Sequence, residues 1–426
     1  MKIGIAGLGT VGIGVVKILQ AHGDLLTVRC GQQITITAVS GRDKTKDRGV
    51  LLDGLTWYDN AVDMVADPDV DMVLELIGGS EGIAKELCLA ALKVGKPVVT
   101  ANKALIAVHG TELAALAETN NAPMAYEAAV AGGIPIVKAL REGLTGNAIS
   151  RVYGILNGTC NYILTEMEET GGDFAAILND AQALGYAEAD PSFDVDGVDA
   201  AHKLAILTSL AFGSLVDFGS VYIEGIRDVS ALDIAFAQEF GYRIRLLGVA
   251  RRTEAGIEQR VHPCMVRKDT AIANVNGVFN AVVAEGDFVD STVYEGRGAG
   301  EGPTASAVVA DIVDITAGRI TPTFGIPVQK LRQIPTVPVE DHVGCYYVRL
   351  TVLDLPGVIA DISAAFKDEE ISIESLLQRG RAPEEAVSVV LTTHEVKEAA
   401  LNRALSVIEK FDHSAAKPRM IRIAKL

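Results

Sequence analysis

Glu188, Asp199 and Lys203 fall within one stretch, Gly185-Tyr-Ala-Glu-Ala-Asp-Pro-Ser-Phe-Asp-Val-Asp-Gly-Val-Asp-Ala-Ala-His-Lys-Leu-Ala-Ile-Leu207, whose residue types suit a small zwitterion. Carboxylates can hold an ammonium group, and a buried lysine is readily tuned towards neutral pH, where it can pass a proton. The stretch opens as an acidic loop punctuated by Gly and Pro and is predicted to become a helix near Asp196. From there Val198, Ala201, Leu204, Ala205 and Leu207 are apolar at about helical spacing. On that helix Asp199 and Lys203, four residues apart, share a face, and Glu188 enters from the preceding loop. The same pattern also fits an acidic loop capping a helix with one surface ion pair, worth only about 0.3–0.5 kcal/mol. The elements around it have to decide.

The first of these elements is Lys2-Ile-Gly-Ile-Ala6, a short apolar run that ends in Gly7-Leu-Gly-Thr-Val-Gly12, with Ile13 to Ala21 reading as a helix. Strand, glycine turn and helix N-terminus in that order are the setting of a dinucleotide fingerprint. Gly7 makes the tight turn, Gly9 lets the backbone approach a pyrophosphate, and Gly12 lets helix and strand pack closely. Exposed amides and the helix dipole favour the phosphates. The second strand, Ile34 to Val39, is followed by Ser40-Gly41-Arg42, with Lys44 and Lys46 close behind. An acidic residue there would suit a ribose hydroxyl; Arg42 suits a 2′-phosphate, which favours NADP over NAD.

Further strands are predicted at Val70 to Ile77 and Val98-Val99, with a helix from about Glu81 to Val94 between them. Thr100, Ala101, Asn102 and Lys103 sit at the carboxyl end of the second, the edge where parallel sheets bind ligands, so Lys103 points towards the nicotinamide. Alternation of strands and helices makes residues 1–130 a Rossmann-like doubly wound α/β domain. Tyr126 to Pro135 is a glycine-containing exit of irregular backbone, whose carbonyls could face inwards and hold a weakly bound cation; a simple hinge fits as well. Residues 131–330 read as an α+β substrate and dimerisation domain, with a strand at Arg151 to Leu156, helices at Tyr162 to Glu169 and Phe174 to Leu184, and a strand near Val282 to Val289. Gly296 to Ser306 is a second glycine-rich turn, and the apolar helix it feeds, near 303–320, is expected to complete the first domain. A Pro-rich linker at 331–342 precedes residues 343–426, whose order βαββαβ is ferredoxin-like.

Composition bounds the rest. A chain of 426 residues, 49% hydrophobic and 22% charged, is ordinary globular material with room for two or three cores. The net charge of −17 argues against nucleic acid or an anionic membrane as partner. Cys30, Cys88, Cys160, Cys264 and Cys345 are scattered, with no pair at metal-ligand spacing, which fits a reducing compartment. With a strand at the N-terminus, no signal peptide and no apolar run of membrane-spanning length, a cytoplasmic protein is expected.

Six blocks together carry a family resemblance: GLGTVG at 7–12, VTANKAL at 99–105, NGTCNYIL at 157–164, residues 185–207, GRGAGEGPTASAVVAD at 296–311 and DLPGVI at 354–359. In this order the chain resembles homoserine dehydrogenase with a C-terminal ACT domain over nearly its whole length. The resemblance implies hydride transfer between NAD(P)H and L-aspartate 4-semialdehyde, giving L-homoserine. It makes Lys203 the proton donor to the carbonyl oxygen, Lys103 the second active-site lysine, and Glu188 and Asp199 the acids that hold the substrate. Gly7, Gly9, Thr10, Val11 and Gly12 match its phosphate loop, and Thr100, Gly185 and Gly302 match positions flanking the nicotinamide. Glu127, Val130, Gly132 and Ile134 match a monovalent-cation site, usually sodium. The ACT resemblance implies an amino-acid effector, threonine above all, near Asp354, Pro356 and Gly357. A homodimer or homotetramer is expected. Two other readings remain: a dehydrogenase for a different amino-acid-derived carbonyl, and a non-catalytic sensor of dinucleotide and amino acid. Lys103, Glu188, Asp199 and Lys203 together are of no use to the sensor.

Overall fold

The computed structural model describes residues 1–378 and 385–426. Its first layer is a parallel sheet built from β1 (Lys2–Ala6), β2 (Thr35–Ser40), β3 (Thr56–Tyr58), β4 (Met72–Glu75), β5 (Val98–Thr100) and β6 (Met124–Ala125), in the order β3-β2-β1-β4-β5-β6. Helices α1 (Thr10–Cys30), α2 (Ile83–Lys93) and α3 (Lys103–Thr119) connect the strands. The order reverses beside β1, so the glycine loop between β1 and α1 lies at the topological switch point. The helix expected to stop near Ala21 continues to Cys30, with non-helical dihedrals at His22. By length and composition α1 could cross a membrane, but Ile13, Val15, Val16 and Leu19 are buried in the core shared with β1. The strand Thr56–Tyr58 is an addition to the sequence reading; three residues carry too little periodicity to register.

The middle of the chain contains α4 (Ile136–Lys138), β7 (Ile149–Ile155), α5 (Gly158–Thr170), α6 (Phe174–Ala183), α7 (Ser192–Val195) and α8 (Val198–Phe212). It continues with β8 (Tyr222–Ile223), α9 (Ala231–Glu239), β9 (Tyr242–Thr253), β10 (Gly256–Arg267), β11 (Phe279–Gly286) and β12 (Asp290–Arg297). The expected strand ending at Val289 ends at Gly286, because the chain turns there into its partner β12. α10 (Glu301–Thr316) returns to pack on α1. It packs so closely on α1 that a Cβ on Gly14 would lie 2.7 Å from the Glu301 carbonyl oxygen and 2.8 Å from Ala305 Cβ.

The C-terminal part comprises β13 (Val343–Leu353), α11 (Val358–Asp368), β14 (Ile373–Gln378), β15 (Ala386–Thr393), β16 (Val396–Lys397), α12 (Glu398–Ile408) and β17 (Ser414–Ile423). Strand order β17-β13-β15-β14 is the ferredoxin-like pattern expected from the sequence. Its junction with the middle domain was not legible. β17 begins at Ser414 and pairs in parallel with β10 (Cys264 with Arg422, Met265 with Ile423), so both domains share one sheet. The Pro-rich segment is likewise pinned: the Ile257 amide donates to the Pro335 carbonyl at 2.8 Å, and Val337 donates back to Ile257 at 2.9 Å. Arg349 and the Tyr347 hydroxyl both donate to Asp233, which caps α9 in the middle domain.

Candidate active site

The glycine loop has the shape its sequence implies. Gly7 adopts φ +103°, and a Cβ there would lie 2.3 Å from the Leu76 carbonyl oxygen; at Gly12 it would lie 2.0 Å from that of Gly7. Nothing lies within 4 Å of the Cβ position of Gly9, so the loop is open where a pyrophosphate would approach. α1 brings its first-turn amides to the same point. Arg42 is exposed just past the end of β2, and the Ser40 carbonyl accepts the Gly7 amide, so the arginine stands beside the loop. These residues fit a dinucleotide.

A cleft of about 580 Å³ runs from Thr10 and Val11 past Lys103 and Gly132 to Gly185, Asp199 and Lys203. Lys103 is the first residue of α3, whose N-cap Asn102 accepts the Leu105 amide. α8 supplies the other two charges from one face. Asp199 is 3% exposed and Lys203 8%, and one carboxylate serves both lysines: Oδ1 lies 2.7 Å from Lys103 Nζ and Oδ2 2.8 Å from Lys203 Nζ. Lys203 also donates to the Leu156 carbonyl at the end of β7, at 2.7 Å.

The electrostatics divide the two lysines. Burial lowers Lys203 below the ordinary lysine value; Asp199 opposes that and Lys103 adds to it. Burial acts on Lys103 too, but Asp199, with Asp194 and Glu188 beyond, outweighs it and holds Lys103 above its ordinary value. Against its own burial, Asp199 is kept well below the usual carboxylate range by Lys203 and Lys103. The more enclosed lysine is the one that can lose its proton.

Asp194 and Asn157 belong to this cluster and were missed. Asn157 caps α5 by accepting the Cys160 amide, and its Nδ2 donates to Asp194 Oδ1 and Asp199 Oδ2, both at 2.8 Å. Burial, then Asp199, raises Asp194. The available signal was an Asn at a predicted helix start together with five acids between 188 and 199, which does not say which acids turn inwards. The first turn of α5, Gly158 and Thr159, lines the cleft with amides that lack intrahelical partners.

Other expected residues stand back from the wall. Glu188 is exposed, and only its field reaches Lys103. Thr100 is fully buried and gives its hydroxyl to Glu75 Oε2 at 2.6 Å; its neighbour Ala101 faces the cleft instead. Gly302 lies in the first turn of α10, between the wall residues Gly300 and Thr304.

The exit segment carries Glu127, Val130, Gly132 and Ile134, with Ala131 at φ +54° and Gly132 at φ +44°. Glu127 accepts the amides of Val137 at 2.9 Å and Lys138 at 2.8 Å, and burial, helped by Asp311, pushes its carboxyl up to about 7. The Ile134 carbonyl accepts the Ile136 amide. Among the described residues no group of three or more His, Cys, Asp or Glu side chains could hold a metal. The donor set fits a monovalent ion on carbonyls and one carboxylate. In the C-terminal domain, Asp354, Pro356 and Gly357 form the turn between β13 and α11, with Gly357 at φ +97°.

Residues 135–313 match the family model for homoserine dehydrogenase, residues 7–127 that for its NAD-binding domain, and residues 346–412 that for the ACT domain. A homoserine dehydrogenase of Pseudomonas aeruginosa is 45% identical over 100% of this chain and 99% of its own. The crystal structure of one from Thiobacillus denitrificans superposes with a TM-score of 0.94 at 46% identity, covering 100% of this chain and 98% of that one. A hyperthermophilic archaeal homoserine dehydrogenase, solved in complex with NADPH, has a TM-score of 0.63 at 28% identity over 74% of this chain and 98% of its own.

Proposed function

The chain belongs to the homoserine dehydrogenase family, NAD(P)-dependent oxidoreductases acting on a CH–OH group, and we propose that it interconverts L-aspartate 4-semialdehyde and L-homoserine in the cleft around Asp199. The observation that carries the proposal is the single buried carboxylate shared by Lys103 and Lys203. The bound nicotinamide supplies or accepts the hydride. In the reductive direction Lys203 gives its proton to the oxygen that becomes the alkoxide, and in the oxidative direction the neutral amine takes it back. Lys103 stays charged and orients the polar end of the substrate. Asp194, Asp199 and the outlying Glu188 favour the substrate ammonium, while the amides at the start of α5 favour its carboxylate.

Arg42 beside the glycine loop supports NADP as the preferred cofactor, as does the NADPH complex of the archaeal relative. The nicotinamide end would lie along the Thr10–Val11, Thr100–Lys103, Gly185 and Gly302 side of the cleft. A sodium ion held by Glu127, Val130, Gly132 and Ile134 would order the segment joining the two domains. An amino-acid effector, threonine as the pathway end-product, would bind near Asp354, Pro356 and Gly357; to change the rate it must favour one of two conformations. Among the described residues β12 and β14 are the edge strands of the shared sheet, which suits pairing in a homodimer or homotetramer.

Homoserine oxidation, followed by absorbance of the reduced cofactor with NADP and NAD in parallel, tests the reading. Turnover with a higher kcat/KM for NADP is expected. A folded protein that binds dinucleotide but oxidises no homoserine would overturn it. Threonine that leaves rate and affinity unchanged in every assembly state would remove the effector.

A further inference from the structure

Arg422, on the last strand of the C-terminal domain, is 2% exposed and joins two domains through two carboxylates. Its Nε donates to Glu398 Oε2 of α12 at 2.8 Å, and its Nη1 donates to Glu224 Oε2, just past β8 in the middle domain, also at 2.8 Å. The guanidinium lies 4.9 Å from the ring centre of Tyr222, whose hydroxyl donates to the same Glu224 oxygen at 3.2 Å. Arg419 approaches Glu224 Oε1 to 3.5 Å.

The two residues after Glu224 touch the active-site turn. The Ile226 amide donates to the Val195 carbonyl at 2.9 Å. At Gly225 a Cβ would lie 2.2 Å from that same oxygen, so only glycine allows the backbones to meet. Arg227 then pairs with Asp196 and donates to Ser192 Oγ at 3.0 Å. These contacts grip α7, a four-residue helix too short to be stable alone. That helix carries Asp194 into the cleft, and the turn continues through Gly197 into α8 with Asp199 and Lys203.

We propose that Glu224 and Arg422 are positioning residues for the active site: the C-terminal domain, through its last strand, sets the place of the Asp194 turn. Neither side chain lines the cleft. Their pairing fixes the segment 224–227, and that segment fixes Val195 and Asp196. The arrangement makes substrate affinity, rather than cofactor affinity, sensitive to how β17 sits on the middle domain. The inference rests on the placement of the substrate at Asp194 and Asp199 proposed above.

The test is Glu224→Gln, which keeps shape and leaves Arg422 paired with Glu398, measured beside the parent full-length enzyme. The KM for homoserine is expected to rise about two- to thirtyfold, the range for residues that bias a site without touching it, with the KM for NADP unchanged. Backbone hydrogen exchange in 192–199 should quicken. Should Glu224→Gln fail to fold, Arg419→Gln probes the same carboxylate from its more exposed side, and a smaller rise in the homoserine KM is expected. A folded variant with unchanged homoserine KM overturns the inference, and so does an equal rise in both KM values. A parent enzyme that does not oxidise homoserine at all would instead remove the proposed reaction.

Discussion

Lys203 reaches back one helical turn to place its Nζ 2.8 Å from Oδ2 of Asp199, while the opposite oxygen of that carboxylate is held by Lys103. The pair alone would be an ordinary i, i+4 ion pair. Burial and the third charge make it a device that separates two lysines by protonation: Lys203 is pulled below its ordinary value and Lys103 is pushed above it.

In the proposed reaction the neutral form of Lys203 is the base for homoserine oxidation, so kcat/KM for homoserine should rise with pH along a limb below the ordinary lysine range. Asp199→Asn removes the charge that raises Lys203, so the limb should move to lower pH while the maximal rate falls. Lys203→Ala should cost about 10²- to 10⁴-fold in kcat, the usual worth of a positioned acid–base group, and leave dinucleotide binding intact. A near-parent rate in that variant would take Lys203 out of the mechanism. Rate–pH profiles of the three proteins decide it.

Arg42→Ala should discriminate between cofactors. A charge-assisted hydrogen bond is worth about 1.5–3 kcal/mol, so the KM for NADPH should rise about 10- to 100-fold while that for NADH stays close to the parent value. Equal effects on both would mean that the 2′-phosphate is not bound by this side chain.

How much of this was legible follows from the range of the signals. The glycine spacing at 7–12 fixed strand, loop and helix because each glycine answers a local steric demand: a Cβ would lie 2.3 Å from a carbonyl oxygen at Gly7 and 2.0 Å from one at Gly12. The i, i+4 relation of Asp199 and Lys203 is also local, and the βαββαβ rhythm of the tail is a sum of short periodicities. What escaped is non-local. Asp194 rather than Glu188 faces the cleft because Asn157, 37 residues away, draws it in. Thr100 turns from the cleft because Glu75, on the neighbouring strand, takes its hydroxyl. The parallel pairing of β10 with β17 joins segments that nothing in their sequences marks as partners.

Gly9 and Gly12 offer a paired test of the phosphate loop. Gly12→Ala sets a methyl 2.0 Å from the Gly7 carbonyl oxygen, which must disrupt the loop and lower stability by about 1–3 kcal/mol. Gly9→Ala meets nothing within 4 Å, and its extended dihedrals suit alanine, so thermal unfolding should stay close to the parent. Its dinucleotide affinity should nonetheless collapse, since the new methyl occupies the approach of the pyrophosphate. Unchanged cofactor affinity in Gly9→Ala would place the phosphates elsewhere.

The exit segment makes the last prediction, on sodium and pH together. Burial pushes Glu127 up to about 7 and Asp311 up to about 6, with Lys138 offsetting part of the charge at Asp311. Both folded-state values lie above the ordinary carboxylate range, so the folded protein holds extra protons between that range and about pH 7. The contribution of these groups to stability therefore falls as pH rises through that window. A cation on Glu127 replaces the proton and binds best once the carboxylate is ionised. Sodium chloride should thus raise the Tm more than equal choline chloride at about pH 8, and the difference should shrink by about pH 5.5, where the proton wins. Glu127→Gln, which keeps an acceptor for the Val137 amide but carries no charge, should lose the sodium effect at both pH values. Equal stabilisation by sodium and choline in the parent at the higher pH would show that Glu127, Val130, Gly132 and Ile134 do not hold the ion.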